Sequence, residues 1–257
     1  MNVPALAGRR VVVTRPVGQS AQLIALIRAA GGEALLFPVL EILDAPESPQ
    51  LQALIERLQR FDLAIFISSN AVNKGLALVR ARRAWPAALR LACVGRGSER
   101  ELRRHGFSEV LLPAERFDSE GLLELPELKQ AAGKHVVIFR GEGGRELLGD
   151  TLIARGATVE YAQCYRRGRP HLDPEPLLAL CQRRELAAFT VTSIESLANL
   201  RDMLGAAGRE CLMHTPLFVP HQRIAAAARD LGVETVVLTG PGDEGLVAGL
   251  AGFFAKV

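Results

Sequence analysis

Residues 61–72 have the sequence FDLAIFISSNAV, in which an apolar run at 63–67 is followed by the polar triplet Ser68-Ser69-Asn70. A short apolar run that ends in small polar residues is typical of a buried strand. The triplet is typical of a helix start, because serine and asparagine oxygens accept hydrogen bonds from the first free backbone N–H groups. This stretch therefore predicts a strand that leads directly into a helix.

The same pattern returns in the second half of the chain. Residues 185–197, ELAAFTVTSIESL, place Thr192-Ser193 where the first copy has its polar triplet. VVVTRP at 11–16 matches HVVIFRG at 135–141, and LACVGRGSERELRRHG at 91–106 matches LFVPHQRIAAAARDLG at 217–232. The members of each pair are about 125 residues apart, and an offset that stays nearly constant over separate blocks indicates a duplicated unit.

Strand and helix patterns alternate along both copies. After the strand at 11–14, apolar residues recur at helical spacing from Leu23 to Ala30, and Gly31-Gly32 ends that helix. Short apolar strands and amphipathic helices follow one another through the rest of the chain. The sequence therefore predicts an α/β protein with two similar flavodoxin-like or Rossmann-like domains and parallel sheets.

The domain boundaries are predicted from the second strand of each copy. These strands, 35–42 and 159–166, are long, and proline-rich chain follows each of them. Two equivalent crossovers suit a chain that leaves its first domain and later returns to it. We therefore predict a discontinuous first domain, 1–40 plus 168–257, an inserted second domain, 41–167, and a two-stranded hinge between them.

The composition excludes several classes of protein. Hydrophobic residues make up 49% of the 257 residues and charged residues 23%, which is usual for a globular protein and excludes collagen, coiled coil and disorder. The net charge of +3 is too small to indicate nucleic acid, and 5% aromatic residues leave little material for stacking on bases. The mild positive charge is compatible with an anionic small molecule.

The cysteines, the first residues and the most apolar stretch predict where in the cell the protein is found. Cys93, Cys164, Cys181 and Cys211 form no C-x-x-C pair and no zinc set with the histidines, so we expect unpaired thiols in a reducing compartment and no metal. The first residues lack the features of a signal peptide, and the most apolar stretch, 246–255, is about half the length that crosses a bilayer. We expect a cytoplasmic protein that does not contact the membrane.

The glycine-rich loops do not predict a nucleotide site. The loops at 95–100 and 141–146 lack the third glycine of G-x-G-x-x-G. GPGDEG at 240–245 matches that motif, but no second strand and no acidic residue follow at the required distance. We interpret GPGDEG as a turn with acidic residues at the start of a helix.

The polar residues at the strand ends have two interpretations. Ser68-Ser69-Asn70 and Thr192-Ser193 either cap the following helices or, with the free N–H groups there, bind carboxylates or phosphates. Arg15 and Arg140 end matching strands, as surface residues or as bidentate carboxylate binders. Tyr165 in the predicted hinge strand either packs there or donates a proton to a leaving group.

Together these blocks resemble the uroporphyrinogen-III synthase family. The resemblance is carried by VVVTRP, by D-x-x-I-F-x-S-x-N-A-V at 62–72, by CVGRGSERELRRHG at 93–106, by Cys164-Tyr165-Arg166 and by Thr192-Ser193. The individual motifs are short. Their order and spacing extend over nearly the whole chain, including the duplication and the crossovers.

The resemblance implies a fold and a reaction. It implies two flavodoxin-like domains with the active site in the cleft between them. It implies an enzyme of tetrapyrrole (haem) biosynthesis that cyclises the polycarboxylate hydroxymethylbilane, with loss of water and inversion of the last pyrrole ring, to give uroporphyrinogen III. No cofactor and no metal are implied. Such a reaction needs the flexible substrate held in its closing geometry more than it needs a catalytic triad.

The resemblance also implies roles for individual residues. Tyr165 matches a tyrosine that assists departure of the hydroxyl, Ser98 stands where the family often has threonine, and Ser69 and Ser193 match hydroxyl residues at strand ends. The chain departs from the family at 219–225, where VPHQRIA replaces a common I-G-x-T-T-A. With Tyr165 as the catalytic residue, the residues predicted to bind substrate are Arg15, Ser68, Ser69, Asn70, Gly95, Ser98, Arg140, Gly141, Thr192, Ser193, His221, Gln222 and Arg223.

A second hypothesis is a non-enzymatic clamp of two domains that binds a small anionic ligand. A clamp explains the duplication and the hinge equally well, but it predicts binding without conversion. Under either hypothesis we expect a monomer that binds a small molecule.

Overall fold

A computed structural model describes residues 4–143 and 146–255. The strands are β1 (Arg10–Val13), β2 (Glu33–Leu36), β3 (Glu41–Asp44), β4 (Leu63–Phe66), β5 (Arg90–Cys93), β6 (Val110–Leu111), β7 (His135–Gly141), β8 (Thr158–Gly168), β9 (Ala188–Thr190), β10 (Leu217–Val219) and β11 (Val236–Leu238). The helices are α1 (Ala21–Ala29), α2 (Pro49–Glu56), α3 (Ser69–Arg80), α4 (Arg96–Arg104), α5 (Ser119–Leu123), α6 (Pro126–Lys129), α7 (Leu147–Ala154), α8 (Glu175–Gln182), α9 (Ile194–Leu204), α10 (Arg209–His214), α11 (Gln222–Asp230) and α12 (Gly242–Phe254). Within the described ranges, no helix combines the length and the apolar character that crossing a bilayer requires.

The chain forms two compact units. Unit 1 consists of Met1–Glu41 and Gly168–Val257, and unit 2 consists of Ile42–Arg167. The chain thus passes from one unit to the other twice, within β3 and at the end of β8, and these two strands are neighbours in one sheet.

Unit 1 has a parallel sheet of five strands in the order β11-β10-β9-β1-β2. Val12 and Phe189 are paired across β1 and β9 and face one apolar cluster, which includes Leu200 of α9. Val11 and Val13 face the other cluster, on the side of α1 and α12. Both faces of this sheet are buried, as is usual when helices cover a parallel sheet on both sides.

Unit 2 has a sheet of six strands in the order β3-β8-β7-β4-β5-β6. The pairs β8–β7, β7–β4, β4–β5 and β5–β6 are parallel. Along β7, Val137 and Phe139 face the cluster beneath α3, and Val136 and Ile138 face the opposite cluster. This alternation gives unit 2 two apolar cores of its own.

The two sheets have the same strand order once β3 is set aside. Strands β2-β1-β9-β10-β11 of unit 1 correspond to β8-β7-β4-β5-β6 of unit 2. The sequence repeat predicts the first four of these five pairs, and the structure adds the pair of β11 with β6. Unit 1 takes β1 and β2 from the first copy and β9 to β11 from the second, whereas unit 2 takes its strands the other way round. The units are therefore circular permutations of one flavodoxin-like order, 2-1-3-4-5.

The predicted long strand at 35–42 is wrong. Leu36 ends β2 and Glu41 begins β3, which belongs to the other sheet. Pro38 lies between them, and proline has no N–H to donate to a neighbouring strand. The backbone N–H of Val39 still binds the carbonyl of Thr14 at 3.1 Å, so the chain follows β1 briefly after β2 has ended.

The expectation of unpaired thiols is also wrong for two of the four cysteines. Cys181 of α8 and Cys211 of α10 form a disulfide, with their Cα atoms 5.5 Å apart, in the range that a disulfide requires. Their separation of 30 residues carried no sequence signal, because packing of α8 on α10 brings them together. Cys93 and Cys164 are free and buried, and burial raises their pKa values to about 11 and about 12, which keeps both thiols uncharged.

Candidate active site

The predicted site residues follow the carboxyl ends of the strands in each unit. In unit 2, α3 begins after β4 and α4 begins after β5; in unit 1, α9 begins after β9 and α11 begins after β10. Because the strands are parallel, these helix starts lie at one edge of each sheet, where α/β proteins bind their ligands. The first N–H groups of each helix have no partner within the helix, and those that no side chain caps are available to anions.

Ser68 caps α3 and also contacts Tyr165. The backbone of Ser68 is extended, and its hydroxyl accepts the N–H of Ala71 at 3.1 Å. The same hydroxyl oxygen lies 3.2 Å from the phenol oxygen of Tyr165, within hydrogen-bonding distance. The interpretation of Ser68 as a helix cap is confirmed, and the cap holds the hydroxyl against the one residue predicted to be catalytic.

A β-bulge in β8 directs Tyr165 towards Ser68. Arg140 of β7 pairs with Gln163, but the next residue, Gly141, pairs with Tyr165, so β8 contains one extra residue at this point. As a result Tyr165 packs in the same cluster as Cys164, on the face of α3, and Tyr161 packs on the opposite face. Regular alternation would have put the two tyrosines, four residues apart, on one face; bulges commonly redirect a side chain next to a functional site.

Gly141 leaves the space that the Tyr165 ring occupies. A Cβ built on Gly141 would lie 2.7 Å from both Cε2 and Cζ of Tyr165, closer than any real Cβ contact. Gly141 is predicted to bind substrate, and its observed contact is with the ring of Tyr165. Only 2% of Tyr165 is exposed, so the ring is fixed by packing.

Tyr165 forms part of the wall of a cavity of about 570 Å³ in unit 2. The cavity lies between β8, which contributes Gln163 and Arg166, and the segment 45–57. Arg57 and Glu160 on its wall form a bidentate ion pair with both N–O distances at 2.6 Å, and the hydrogen bonds from Arg57 lower the pKa of Glu160. Tyr165 is therefore one of the residues that line a cavity whose walls are mixed polar and apolar.

The starts of α3 and α4 lie side by side. Gly95 is the capping residue of α4, and Ser98 in the first turn of α4 is buried. A Cβ on Gly97 would lie 3.2 Å from the hydroxyl oxygen of Ser69, the first residue of α3. The structure thus brings Ser69, Gly95 and Ser98 together, with Asn70 in the same first turn as Ser69.

Arg140 has partners inside unit 2. Its buried guanidinium donates to the carbonyl of Gly143 at 3.1 Å and to the carboxylate of Glu146 at 3.1 Å, and it lies 4.8 Å from the centre of the Tyr161 ring. Hydrogen bonds from Tyr161 and Arg140 lower the pKa of Glu146. The guanidinium is occupied in holding the segment that follows β7.

Arg15 in unit 1 is paired in the same way. Its guanidinium donates to the carboxylate of Asp243, which is 8% exposed and lies in the first turn of α12. Asp243 and Glu244 belong to GPGDEG, so the interpretation of this motif as a turn with acidic residues at a helix start is confirmed. Each unit thus supplies its arginine with a carboxylate of the same unit.

The remaining predicted residues lie at two helix starts of unit 1. The hydroxyl of Ser193 accepts the N–H of Ser196 at 2.9 Å and so caps α9, directly after Thr192. His221 occupies the capping position of α11 without a side-chain cap, and Gln222 and Arg223 form the exposed first turn. The structure places these residues along the same edge of the unit 1 sheet.

Two features of the site were missed by the sequence analysis. Tyr161 contacts Gly149, where a Cβ would lie 1.8 Å from the phenol oxygen, and a glycine inside the helical pattern at 147–154 was the available signal. The carboxyl edge of the unit 1 sheet also carries exposed aliphatic side chains, namely Val17, Leu36, Ile194 and Leu238. Their signal was an apolar residue shortly after, or at the end of, each of four strands.

Comparisons with known proteins agree on one family. The family model described as uroporphyrinogen-III synthase HemD matches residues 21–248. Among curated relatives, uroporphyrinogen-III synthase from Escherichia coli K12 is 36% identical over 228 residues, covering 88% of this chain and 93% of the relative. The Salmonella typhimurium protein of the same name is 37% identical with the same coverage, and the Synechococcus elongatus protein is 30% identical, covering 78% of this chain and 76% of the relative.

Solved structures show the same fold. A crystal structure of a mutant uroporphyrinogen III synthase from Thermus thermophilus matches with a TM-score of 0.60 at 24% identity, covering 95% of this chain and 97% of that one. The structure of uroporphyrinogen-III synthetase from Helicobacter pylori matches with a TM-score of 0.57 at 17% identity, covering 93% and 97%. At these identities the similarity establishes the two-domain α/β fold.

Proposed function

The chain belongs to the uroporphyrinogen-III synthase family, and we propose that it cyclises hydroxymethylbilane to uroporphyrinogen III, with Tyr165 as its catalytic residue. One observation carries the assignment to Tyr165. Its phenol oxygen lies 3.2 Å from the hydroxyl oxygen of Ser68, and Tyr165 is one of the residues that line a cavity. The enzyme is a cyclising lyase of haem biosynthesis.

The first step fits a single phenol. The proton of Tyr165 passes to the hydroxyl oxygen of the substrate, the C–O bond breaks, and its electron pair leaves with water. The pyrrole nitrogen supplies the electrons that stabilise the carbon left behind. Inversion of the last ring requires the new C–C bond to form first at the ring carbon that already carries the bridging methylene. That older C–C bond then breaks, the released methylene bonds to the unsubstituted carbon of the same ring, and the proton that leaves this carbon restores the phenol. Because the pyrrole itself expels the hydroxyl, modest general acid catalysis suffices.

Groups at the carboxyl edges of the two sheets match the carboxylates and the pyrrole rings of the substrate. The helix starts at Ser69, Arg96, Ile194 and Gln222 present backbone N–H groups for carboxylates. Exposed Val17, Ile194 and Leu238 offer aliphatic contact for pyrrole faces. We propose that Ser69, Asn70, Gly95, Ser98, Thr192, Ser193, His221, Gln222 and Arg223 bind substrate, while Arg15 and Arg140 contribute by positioning the chain around them.

The proposal also covers the oligomeric state, the cellular location, the partners and the domains of the protein. We propose a monomer that acts in the cytoplasm on a small molecule, without nucleic acid, cofactor or metal; in that reducing compartment the Cys181–Cys211 disulfide has to resist reduction. We also propose that the protein has two domains, 1–40 plus 168–257 and 41–167, which differ from the two compact units only in the placement of Glu41.

Incubation with hydroxymethylbilane tests the proposal. The spontaneous product is the type I isomer, so we expect the type III isomer to appear only with the protein, as measured by chromatography of the oxidised porphyrins. Tyr165→Phe is expected to lower kcat about 100-fold, near the lower limit for general acid catalysis. Its thermal unfolding midpoint serves as the control for the fold.

Two outcomes would count against this function, and a third would count against the role of Tyr165 alone. Formation of the type I isomer alone would contradict the reaction, and tight binding of the substrate without conversion would favour the clamp. An unchanged kcat in Tyr165→Phe would remove Tyr165 from the mechanism while leaving the reaction in place.

A further inference from the structure

We propose that Ser68 is a positioning residue that donates its hydroxyl proton to the phenol oxygen of Tyr165, which leaves the phenol proton for the substrate. This inference rests on the proposed function. It assigns Ser68 a role different from direct binding of substrate, and it is argued from the hydrogen bonds around the two hydroxyl groups.

The donors and acceptors leave two possible arrangements. A serine hydroxyl has one proton and two lone pairs, and one lone pair of Ser68 is taken by the N–H of Ala71 at 3.1 Å. If Tyr165 donates to the other lone pair, its only proton is used inside the protein. If Ser68 donates instead, the 3.2 Å contact is kept and the phenol proton is free to point away from Ser68. Only the second arrangement lets Tyr165 act as an acid.

The packing around the pair holds the two hydroxyl groups within hydrogen-bonding distance. The Tyr165 ring lies against Gly141 on one side, and the neighbouring thiol of Cys164 lies 3.4 Å from the carbonyl of Arg140 and 3.6 Å from that of Ala71. These contacts tie β8 both to β7 and to the first turn of α3. The Ser68–Tyr165 distance is therefore set by buried groups on three elements.

The charge that develops in the reaction also favours Ser68 as the donor. As the proton leaves Tyr165, negative charge grows on the phenol oxygen, and a hydrogen bond to a charged acceptor is stronger than one to a neutral acceptor. Ser68 stands at the N-terminus of α3, a helix of 12 residues, whose dipole places its positive end there. Both effects act more strongly on the phenolate than on the phenol, which is the requirement for lowering a barrier.

Three substitutions separate this role from helix capping. Ser68→Thr keeps both the cap and the hydroxyl, and its kcat is expected to stay within about threefold of wild type. Ser68→Asp keeps the cap, but an ionised carboxylate only accepts hydrogen bonds, so the phenol O–H of Tyr165 would donate to it and no longer be free for the substrate. Ser68→Ala loses both functions. We expect kcat to fall about 10- to 100-fold in the Asp and Ala variants, the range for one hydrogen bond to a charged group, with KM within about threefold.

A double-mutant cycle with Tyr165→Phe completes the test. In that background Ser68→Asp is expected to change kcat less than about twofold, because the group that it acts on is gone. A wild-type kcat in Ser68→Asp, or an equal loss in both backgrounds, would overturn the role of Ser68 and leave the proposed function standing. Absence of the type III isomer with the wild-type protein would instead overturn the proposed function itself.

Discussion

Two tyrosines of β8 are held in place by glycines that face them. Tyr165 lies over Gly141 at the end of β7, and the hydroxyl of Tyr161 lies over Gly149 inside α7. Glycine inside a helix costs about 1 kcal/mol relative to alanine, so its presence in α7 is explained by the approach of Tyr161. At Gly141 the same absence of a side chain determines where the phenol of Tyr165, which we propose to be catalytic, can lie.

Gly141→Ala should displace Tyr165. The added Cβ would meet the ring at 2.7 Å, and the neighbours of a ring that is 2% exposed leave little room to move. We expect kcat to fall at least about tenfold, since small displacements of a reacting group are costly, and stability to fall by about 1–3 kcal/mol from overpacking. Steady-state kinetics and urea unfolding measure the two effects.

Gly252→Ala is the matched control for this substitution. Gly252 lies in α12, where a Cβ would meet no atom of the described residues within 4 Å, so alanine should leave kcat unchanged and raise stability slightly. A Gly141→Ala enzyme with wild-type kcat would show that the position of the ring is not fixed by this glycine.

The two arginines show where prediction from sequence ends at the residue scale. The matching positions of Arg15 and Arg140 at strand ends were visible, but their partners were not. Asp243 is 228 residues from Arg15 and reaches it only because α12 packs beside α1 and near the end of β1. A pattern of spacing predicts which residues share an edge of the sheet, and the fold decides which of them neutralise each other.

Elements of regular periodicity were predictable, and their interruptions were not. The helix starts after β4 and β9 follow from Ser68 and Ser193, and both serines cap the helices that they precede. The bulge in β8 and the break at Pro38 depend on hydrogen-bond register with a neighbouring strand, which periodicity within one strand does not contain. The bulge also turns Tyr165 towards Ser68. The contact between these two candidate site residues therefore depends on a feature that could not be predicted from the sequence.

The disulfide between Cys181 of α8 and Cys211 of α10 should contribute to the stability of unit 1. A disulfide that closes a loop of about 30 residues restricts the unfolded chain and is expected to add about 3–4 kcal/mol. Urea unfolding with and without a reductant measures this contribution. In the variant with both Cys181→Ala and Cys211→Ala, reductant should have no effect, whereas equal stability of the wild type in both conditions would contradict the link.

The duplication explains the arrangement of the whole molecule. In unit 1 the strand β1 pairs with β2 on one side and with β9 on the other, so one sheet joins both terminal parts of the chain. In unit 2 the corresponding strand β7 pairs with β8 and β4, all within a continuous stretch. Two circular permutations of one strand order thus give unit 1, which consists of two separate segments of the chain, and unit 2, which is one continuous segment.

Because only unit 2 is continuous in sequence, we can predict how each unit folds when it is produced without the other. Residues 42–167 contain both apolar clusters that cover their sheet, so this segment alone should unfold cooperatively in urea. Residues 168–257 alone lack β1 and β2, which leaves β9 with an open edge and removes Val11, Val12 and Val13 from the clusters of unit 1.

We expect 168–257 alone to be unfolded, and we expect a short glycine-serine linker from Glu41 to Gly168, in place of unit 2, to restore a folded unit 1. Far-ultraviolet circular dichroism and urea titration of the three proteins measure this. A folded 168–257 segment would show that β1 is dispensable, and a linked protein without cooperative unfolding would show that unit 1 needs unit 2. Because each sheet is covered on both faces by helices of its own unit, the apolar surface that drives folding lies within the units, and the linked protein retains all of it for unit 1.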